Sequence, residues 1–508
     1  MEPTSSDKTG KARYRRRLVA ALAGAGVVLF AGTLYLLTLA PTVLHYTIEM
    51  KDSAVLQATA YTLGIGHPTG YPTYTILTHL FTYLPFGDFA YRVNLASAVF
   101  GALAVGALYA VGLRLGGSIV AALVGSLAFG TSPLFWSQAV ISEVYTLHVF
   151  FLALALLVVL VWRARREDKY LLLAAVVLGL SVTHHLTSGL LLPSAAAFVL
   201  LVEPRKILDW KIILKGIGLF LLALVPYAYL PIRSRMDPPI NARDPSNWER
   251  FKDLVTGGEF KANMWAFGPE ELPGRIEMYL DHLTGQLHWA FLAAGIVGFA
   301  YLLARDRATV VLLGLPFFGF LFYALEYDIE DVQYYFIPTY AILSVCACVG
   351  LGALLRGTEA LVRRVSPAVR TSVPVGALSL LALAVPLSSL AENYEGVDMS
   401  EDHEGRRIIE VVAREARPNA TVIHHRGPLQ YMQLVEGRRK DIQLWSFAEP
   451  QSKESTARAE DALHDGRVYE LFPSKNRRRF FEDAGYRLAV VEEGMLYRVV
   501  RGEGPVTM

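Results

Sequence analysis

Cysteine is nearly absent, with two residues in 508. Cys346 and Cys348 stand two apart in an apolar run. On a helix they point to different faces, so a disulfide between them is not expected, and no paired Cys/His spacing suggests zinc. Charge is also scarce: Asp, Glu, Lys and Arg make up 19% of the chain, and the formal net charge is +2. That balance gives no reason to expect a nucleic-acid partner. No solenoid repeat and no low-complexity tract is visible. What the chain has is apolar sequence, 53% of its residues. Several runs approach the roughly 20 residues a helix needs to cross about 30 Å of hydrocarbon. The expected fold class is therefore a polytopic α-helical membrane protein with the lipid bilayer as its solvent.

About eleven spans are expected, near 18–40, 91–113, 118–133, 143–162, 170–184, 188–203, 212–231, 287–304, 308–325, 335–355 and 372–391. The third, fifth and sixth are short. "KARYRRR" and the apolar stretch after it resemble a signal peptide, but the stretch is too long for an h-region, and a retained first helix is expected. Residues 1–17 form a basic N-terminus, of which 1–12 are expected to lack fixed structure. Arg13, Arg15, Arg16 and Arg17, "RARREDK", "EPRK", "ARDRA", and Arg356, Arg363, Arg364 and Arg370 all fall on one side of the membrane. The positive-inside rule makes that side cytoplasmic. The opposite side receives the loops at 41–90 and 232–286, which are rich in acids, aromatics, His and Pro. The expected location is thus the cell membrane, with the chemistry on the extracytoplasmic side. After residue 391 the character becomes charged and globular. "ATVIHHR", "DIQLW" and "YRLAVVEE" read as strands, and "PLQYMQLVEGRR" and the run ending in "FFEDAG" as helices. A small α/β domain at 392–508 on the outer face is expected, following a transmembrane region at 18–391.

One stretch contradicts its apolar setting. "GHPTGYPTY" (66–74) follows the first span closely and cannot continue a helix. Pro68 and Pro72 fix two φ angles, while Gly66 and Gly70 permit tight turns. Before it, Asp52 precedes "SAVLQATAYTLG", a short helix. Two readings of Asp52 stand: a helix N-cap, or a carboxylate held by the loop at the mouth of an intramembrane cavity. The following "YTILTHLFTYLPF" is amphipathic and suits the interface. Glu143 and His148 flank Tyr145 in "WSQAVISEVYTLH". Glu143 reads either as a functional carboxylate at membrane depth or as a helix-start acid favoured by the macrodipole. His184 and His185 in "THHLT" diverge by about 100° on a helix and have no evident third ligand. A hydrogen bond to a carboxylate or phosphate fits them better than a metal. Arg233 and Arg235 directly follow a membrane exit and suit either a lipid phosphate or interfacial snorkelling. Glu326, Asp328, Glu330 and Asp331 in "EYDIEDVQYY" read as a solvated loop in preference to a metal cluster. No metal and no cofactor is expected.

Taken together, "KDSAVLQATAYTLGIGHPTGYPTY", "YRVNLASAVFGALAV", "SPLFWSQAVISEVYTLH", "THHLT" and "YLPIRSRMDPPINARDPSNWERFKDLVTGGEF" occur in an order that resembles one family. It is a multi-pass membrane family that includes an animal O-mannosyltransferase acting on plexin-type domains, and it is grouped with the GT-C glycosyltransferases. The resemblance covers about residues 18–260 well. The chain departs from the family pattern at Lys51, Thr69 and His184. The resemblance implies transfer of a sugar, with mannose favoured, from a polyprenyl-phosphate donor to a protein or glycan hydroxyl. It implies that Asp52 is the general base and that His67, Tyr71, His184, His185, Arg233 and Arg235 serve the donor or its phosphate. Glu143, Tyr145 and Asp328 are implied as acceptor-side or supporting groups. The alternative from another class is a transporter or flippase of lipid-linked sugars, which calls for repeated halves around a midplane site. No such repeat is seen.

Overall fold

The computed structural model describes residues 5–45, 52–365, 371–424, 427–446 and 452–502. Lys51 and Arg370 lie outside these. The chain begins with α1 (Ser5–Leu37), then two short helices, α2 (Ser53–Thr62) and α3 (Pro72–Phe81), and then the long α4 (Phe89–Gly116). The helix α1 starts within the stretch expected to be irregular, because extending a helix already formed at 18–37 costs little per residue. Next come α5 (Ile119–Gly130), α6 (Pro133–Ala139), α7 (Tyr145–Arg165), α8 (Lys169–His184), α9 (Leu191–Val202), α10 (Trp210–Ala223), α11 (Tyr229–Ser234) and α12 (Trp248–Val255). The bundle ends with α13 (Leu272–Gln286), α14 (Trp289–Arg305), α15 (Arg307–Leu325), α16 (Ile337–Val365) and α17 (Ser372–Val397).

Among the described residues, seven helices are long and apolar enough to span a bilayer, or nine if each of two bent pairs is one span. The expected eleven also took in α8 and the segment Leu186–Val202, which are shorter. The bent pairs are α5 with α6, at 70°, and α13 with α14, at 110°. Without a hydrophobic force between helices in lipid, close packing depends on small residues. Gly298 of α14 and Gly350 of α16 show this: a Cβ on either would collide with backbone of the other helix. Cys346 and Cys348 are buried free thiols on α16.

The basic helix ends meet at one end of the bundle. Arg16 donates to the Gly117 carbonyl at 2.8 Å and Arg356 donates to the Gly116 carbonyl at 2.5 Å. Arg163 pairs with Asp306, and Arg166 with Glu203 at 3.1 Å.

After α17 the chain forms α18 (Glu404–Glu415), β1 (Thr421–Ile423), α19 (Pro428–Leu434), β2 (Gln443–Trp445), α20 (Lys453–His464), β3 (Val468–Leu471), α21 (Lys475–Asp483), β4 (Tyr486–Glu492) and β5 (Leu496–Arg501). The five-stranded sheet has the order β2-β1-β3-β5-β4. Thr421 of β1 pairs in parallel with Gln443 of β2 and Val468 of β3, while β5 runs antiparallel between β3 and β4. The elements read from the sequence are all present. Those added are α18, α20, β3 and β5.

Candidate active site

The corner at 64–72 is built by a turn and held by a distant segment. Gly70 donates to the His67 carbonyl at 2.8 Å and adopts φ 84°, a conformation that costs glycine little. Pro72 then opens α3 at the position where a missing N–H costs nothing. Ile65 donates to the Ile240 carbonyl at 2.7 Å, and Ala242 donates back to Ile65 at 3.1 Å. The Tyr229 hydroxyl donates to the Gly64 carbonyl at 2.9 Å. Ile65, Leu230 and Leu254 form a small buried core beneath this contact.

Asp52 occupies the N-cap position of α2, but its side chain accepts no capping hydrogen bond. Its Oδ2 lies 3.5 Å from His67 Nε2, and the side chain is 36% exposed. The capping reading of Asp52 is therefore not what the geometry uses. The His67 ring sits 5.2 Å from that of Tyr71, edge to face. Tyr71 in turn lies 5.9 Å from His185. Burial first, and then the charge of Asp52, hold the Tyr71 hydroxyl above its ordinary range.

Beyond Tyr71 lies a cavity of about 70 Å³, lined by Tyr71, His185, Lys261, Tyr323, Tyr327 and Tyr335 among others. His185 Nδ1 is 2.7 Å from the Thr187 hydroxyl, while its buried Nε2 has no partner among the described residues. With the hydroxyl donating to Nδ1, Nε2 carries the proton and is a donor. Burial, followed by the charge of His67, pushes the His185 pKa down to about 4. A neutral imidazole, an ammonium group and tyrosines around so small a space form a setting for an anionic group of phosphate size.

The remaining expected residues divide. His184 Nε2 lies 2.9 Å from the Val144 carbonyl and is buried, so it braces the end of α8 against the loop before α7. Glu143 is buried in that loop. Burial and then Asp52 raise its pKa well above the carboxylate range. Tyr145 opens α7 and places its ring 6.3 Å from His185. Arg233 departs from the expectation: its Nε donates to the Leu63 carbonyl at 2.7 Å and an Nη to the Thr62 carbonyl at 2.9 Å. These are the free carbonyls at the C-terminus of α2, which a guanidinium fork satisfies. Arg235 donates to the Ser246 carbonyl at 3.2 Å on the surface. Neither arginine lines the cavity. Asp328 is exposed, and its backbone pairs with Asn263 in a short bridge segment. Among the described residues, no group of three or more His, Cys, Asp or Glu has metal-holding geometry.

The sequence reading passed over Asn94, which is fully buried. Its Oδ1 accepts from Gln57 Nε2 at 2.8 Å and from the Ser142 hydroxyl at 2.5 Å, and its Nδ2 donates to the Ala40 carbonyl at 3.0 Å. One turn on, the Ser97 hydroxyl donates to the Glu143 carbonyl at 3.2 Å. Asn94 and Ser97 thus tie α2, the end of α1 and the 142–143 loop to one face of α4. The available signal was an amide inside an apolar helix, which rarely lacks a purpose. Lys261 and Tyr335 of the cavity lining were also not singled out in the sequence, whereas His148 was. The His148 Nδ1 is 3.1 Å from the Ser188 hydroxyl, and its ring lies 4.4 Å from that of His185.

Residues 52–208 match the family described as Protein O-mannosyl-transferase TMEM260 N-terminal domain. The chain is 26% identical over 452 residues to the mouse (Mus musculus) Protein O-mannosyl-transferase TMEM260, covering 82% of this chain and 62% of that protein. It is 22% identical over 460 residues to the Dictyostelium discoideum counterpart, covering 79% and 55%. The chain thus spans less than two thirds of the length of these relatives. Its fold is similar to that of ArnT from Cupriavidus metallidurans bound to undecaprenyl phosphate, with TM-score 0.63, 12% identity, and 94% and 97% of the two chains covered. It is also similar to the Archaeoglobus fulgidus oligosaccharyltransferase AglB in complex with an inhibitory peptide and a dolichol-phosphate, with TM-score 0.51, 13% identity, and 95% and 75% covered. The resemblance expected from the motifs is borne out: the chain has the GT-C fold and, from Asp52 to Leu208, is similar to the O-mannosyltransferases of the TMEM260 family.

Proposed function

We propose that this chain is a membrane glycosyltransferase that moves a sugar, with mannose favoured, from a polyprenyl-phosphate donor to a Ser or Thr hydroxyl of an exported protein, with inversion. The observation that carries the reading is Asp52: a partly exposed carboxylate at a helix start that caps nothing, next to His67 and one aromatic ring from the cavity. A hydroxyl is a poor nucleophile until its proton is removed as the bond forms, and one positioned carboxylate suffices for that. The departing phosphate needs no proton, only a donor or cation to stabilise its charge. This differs from glycoside hydrolysis, which needs an acid as well as a base or nucleophile.

In this reading the phosphate occupies the cavity beside His185 Nε2 and Lys261, and Tyr71 stands between it and Asp52. Attack comes from the side of Asp52, opposite the leaving oxygen, which gives inversion. Arg233 serves indirectly, by fixing the end of the helix that Asp52 opens. Glu143 and Tyr145 support the wall, and Asp328 lies outside the cavity lining. The site faces the extracytoplasmic side, opposite the basic helix ends. The names of the relatives, and the lipid phosphates bound by the two structural neighbours, support the donor class.

The test is a transfer assay with polyprenyl-phosphate sugars and Ser/Thr-containing acceptors, read by mass spectrometry, with Asp52→Asn as the control. Transfer by the wild type and its loss in the variant are expected. Equal turnover by both would sink the assignment. EDTA is expected to leave turnover unchanged. If chelation abolished transfer and manganese restored it, a diphosphate donor would replace the one proposed.

A further inference from the structure

Among the described residues, the α/β domain packs on the bundle around α2, the helix that Asp52 opens, together with the stretch after α1 and the start of α4. On the near side, the end of α1 and the stretch at 38–45 lie against α18. Met399 donates to the Thr38 carbonyl at 3.1 Å. Gly405 meets the chain at Val43 and Leu44 so closely that a Cβ there would collide with backbone. The His45 ring lies 4.7 Å from that of Phe472, just past β3, tilted by 40°. On the far side, Ala54 and Ala58 of α2 are buried in one apolar cluster with Ile409, Leu429 and Met432 of the domain.

A charged node joins these contacts. Arg406 of α18 pairs with Asp88 at 3.1 Å, pairs with Glu436, and donates to the Thr42 hydroxyl at 3.2 Å. Asp88 is also the N-cap of α4, accepting from Tyr91 at 2.8 Å, and Ala90 donates to the Tyr431 hydroxyl at 3.1 Å. Arg438 closes the outside of the node, with a two-pronged contact to Glu410 at 2.7 and 2.9 Å. Arg406 therefore bridges three elements: the α/β domain, the start of α4, and the strand of chain that leads to Asp52. A single-point salt bridge on a surface contributes little, but a guanidinium shared among several partners in a half-buried node fixes geometry.

We infer that the C-terminal α/β domain is a clamp that sets the position of the Asp52-bearing segment, with Arg406 and Gly405 as its positioning residues. This rests on the transferase reading for its consequence in catalysis but not for its mechanics. Displacing a reacting group by about 1 Å costs on the order of 10²-fold in rate, so slack in the clamp should appear in kcat before KM.

The experiment uses the full chain in lipid nanodiscs, as wild type, Arg406→Ala, Arg406→Lys and Gly405→Ala. Hydrogen–deuterium exchange is followed in peptides from 38–45 and 52–64 and, as an internal reference, from α14–α16. The expected result is faster exchange confined to 38–45 and 52–64 in Arg406→Ala and Gly405→Ala, with Arg406→Lys closer to wild type. With donor and acceptor, Arg406→Ala should lose roughly 10-fold or more in kcat with little change in KM, as misplacement of a reacting group predicts. Unchanged exchange at 38–45 and 52–64 would overturn the clamp. So would a rise spread equally over α14–α16, which would mark general destabilisation, or a rise in KM at constant kcat, which would mark a substrate-binding surface. Exchange needs no substrate. A wild type inactive with every donor would overturn the transferase reading and leave exchange to decide the clamp.

Discussion

The two ends of the helical bundle treat their polar groups differently. At the basic end, Arg16, Arg356, Arg163 and Arg166 all find carbonyls or carboxylates. At the other end, Asp52 caps nothing, and among the described residues His185 Nε2, His67 Nδ1 and the Tyr74 hydroxyl are buried without partners. Buried polar groups are normally paired, and an unpaired one implies an absent partner or a stored cost. The basic end, where the buried Trp162 Nε1 also has no partner among the described residues, is held by these pairs, and most of the other unpaired groups gather at the end that the proposed reading gives to the substrate. Arg233 and Lys261 repeat the contrast within one loop region: the arginine closes a helix end, whereas the lysine lines the cavity.

The contrast is broken most directly at Asp52. Asp52→Asn is expected to fold and insert normally while losing about 10²–10⁴-fold in transfer rate, the usual worth of a general base. Steady-state kinetics on the purified variant, with its thermal midpoint alongside, check both halves.

Lys261 should come next. In the proposed reading Lys261→Ala removes one charge-assisted contact to the phosphate, worth about 1.5–3 kcal/mol, or roughly 10–100-fold in kcat/KM for the donor. The thermal midpoint should not move, because the residue is exposed and on the cavity rim. A variant with wild-type donor kinetics would place the phosphate elsewhere.

Arg233→Ala sharpens the contrast from the other side. It leaves the Thr62 and Leu63 carbonyls without their donors, a cost of about 1–3 kcal/mol. A lowered thermal midpoint with donor KM nearly unchanged is the expected pattern. The reverse pattern, with stability intact and donor KM raised, would return Arg233 to the phosphate.

The last expectation concerns pH. His185 has a pKa of about 4 in the folded protein, below the ordinary 6.5. The unfolded chain therefore binds more protons between those values, so this residue's contribution falls as pH drops from about 6.5 to about 4. His185→Gln should weaken the loss of stability over that window, as measured by unfolding at stepped pH. A slope identical to wild type would contradict the buried neutral imidazole.

Much of the site was legible because its residues violate their surroundings. Asp52, the Pro/Gly corner, Glu143 and the His184–His185 pair are polar or rigid features in apolar sequence, and the structure gathers them at one end of the bundle. Asn94 was legible in the same way but was overlooked inside a long apolar helix. Lys261 was not legible: a lysine in a 55-residue loop carries no mark until the loop folds back over Tyr71 and His185. The short spans were ambiguous for a physical reason. Length and apolarity set whether a helix can cross a bilayer, and α8 and the segment after it fall near the limit, where neighbours decide.

Hydrophobic runs and basic flanks by themselves determined a polytopic helical protein and predicted its orientation, because transfer into lipid depends on composition summed over about 20 residues. Period-two and amphipathic patterns likewise determined that a small α/β unit follows. Only the tertiary structure decided that His184 braces a carbonyl while its neighbour His185 faces a cavity, since on opposite sides of a helix end two identical residues meet different partners. Only it decided that Arg233 closes α2, and that Arg406, more than 350 residues away in sequence, meets Thr42. Those pairings depend on which elements pack together, and a side chain's reach is set by three-dimensional distance, on which sequence spacing is silent.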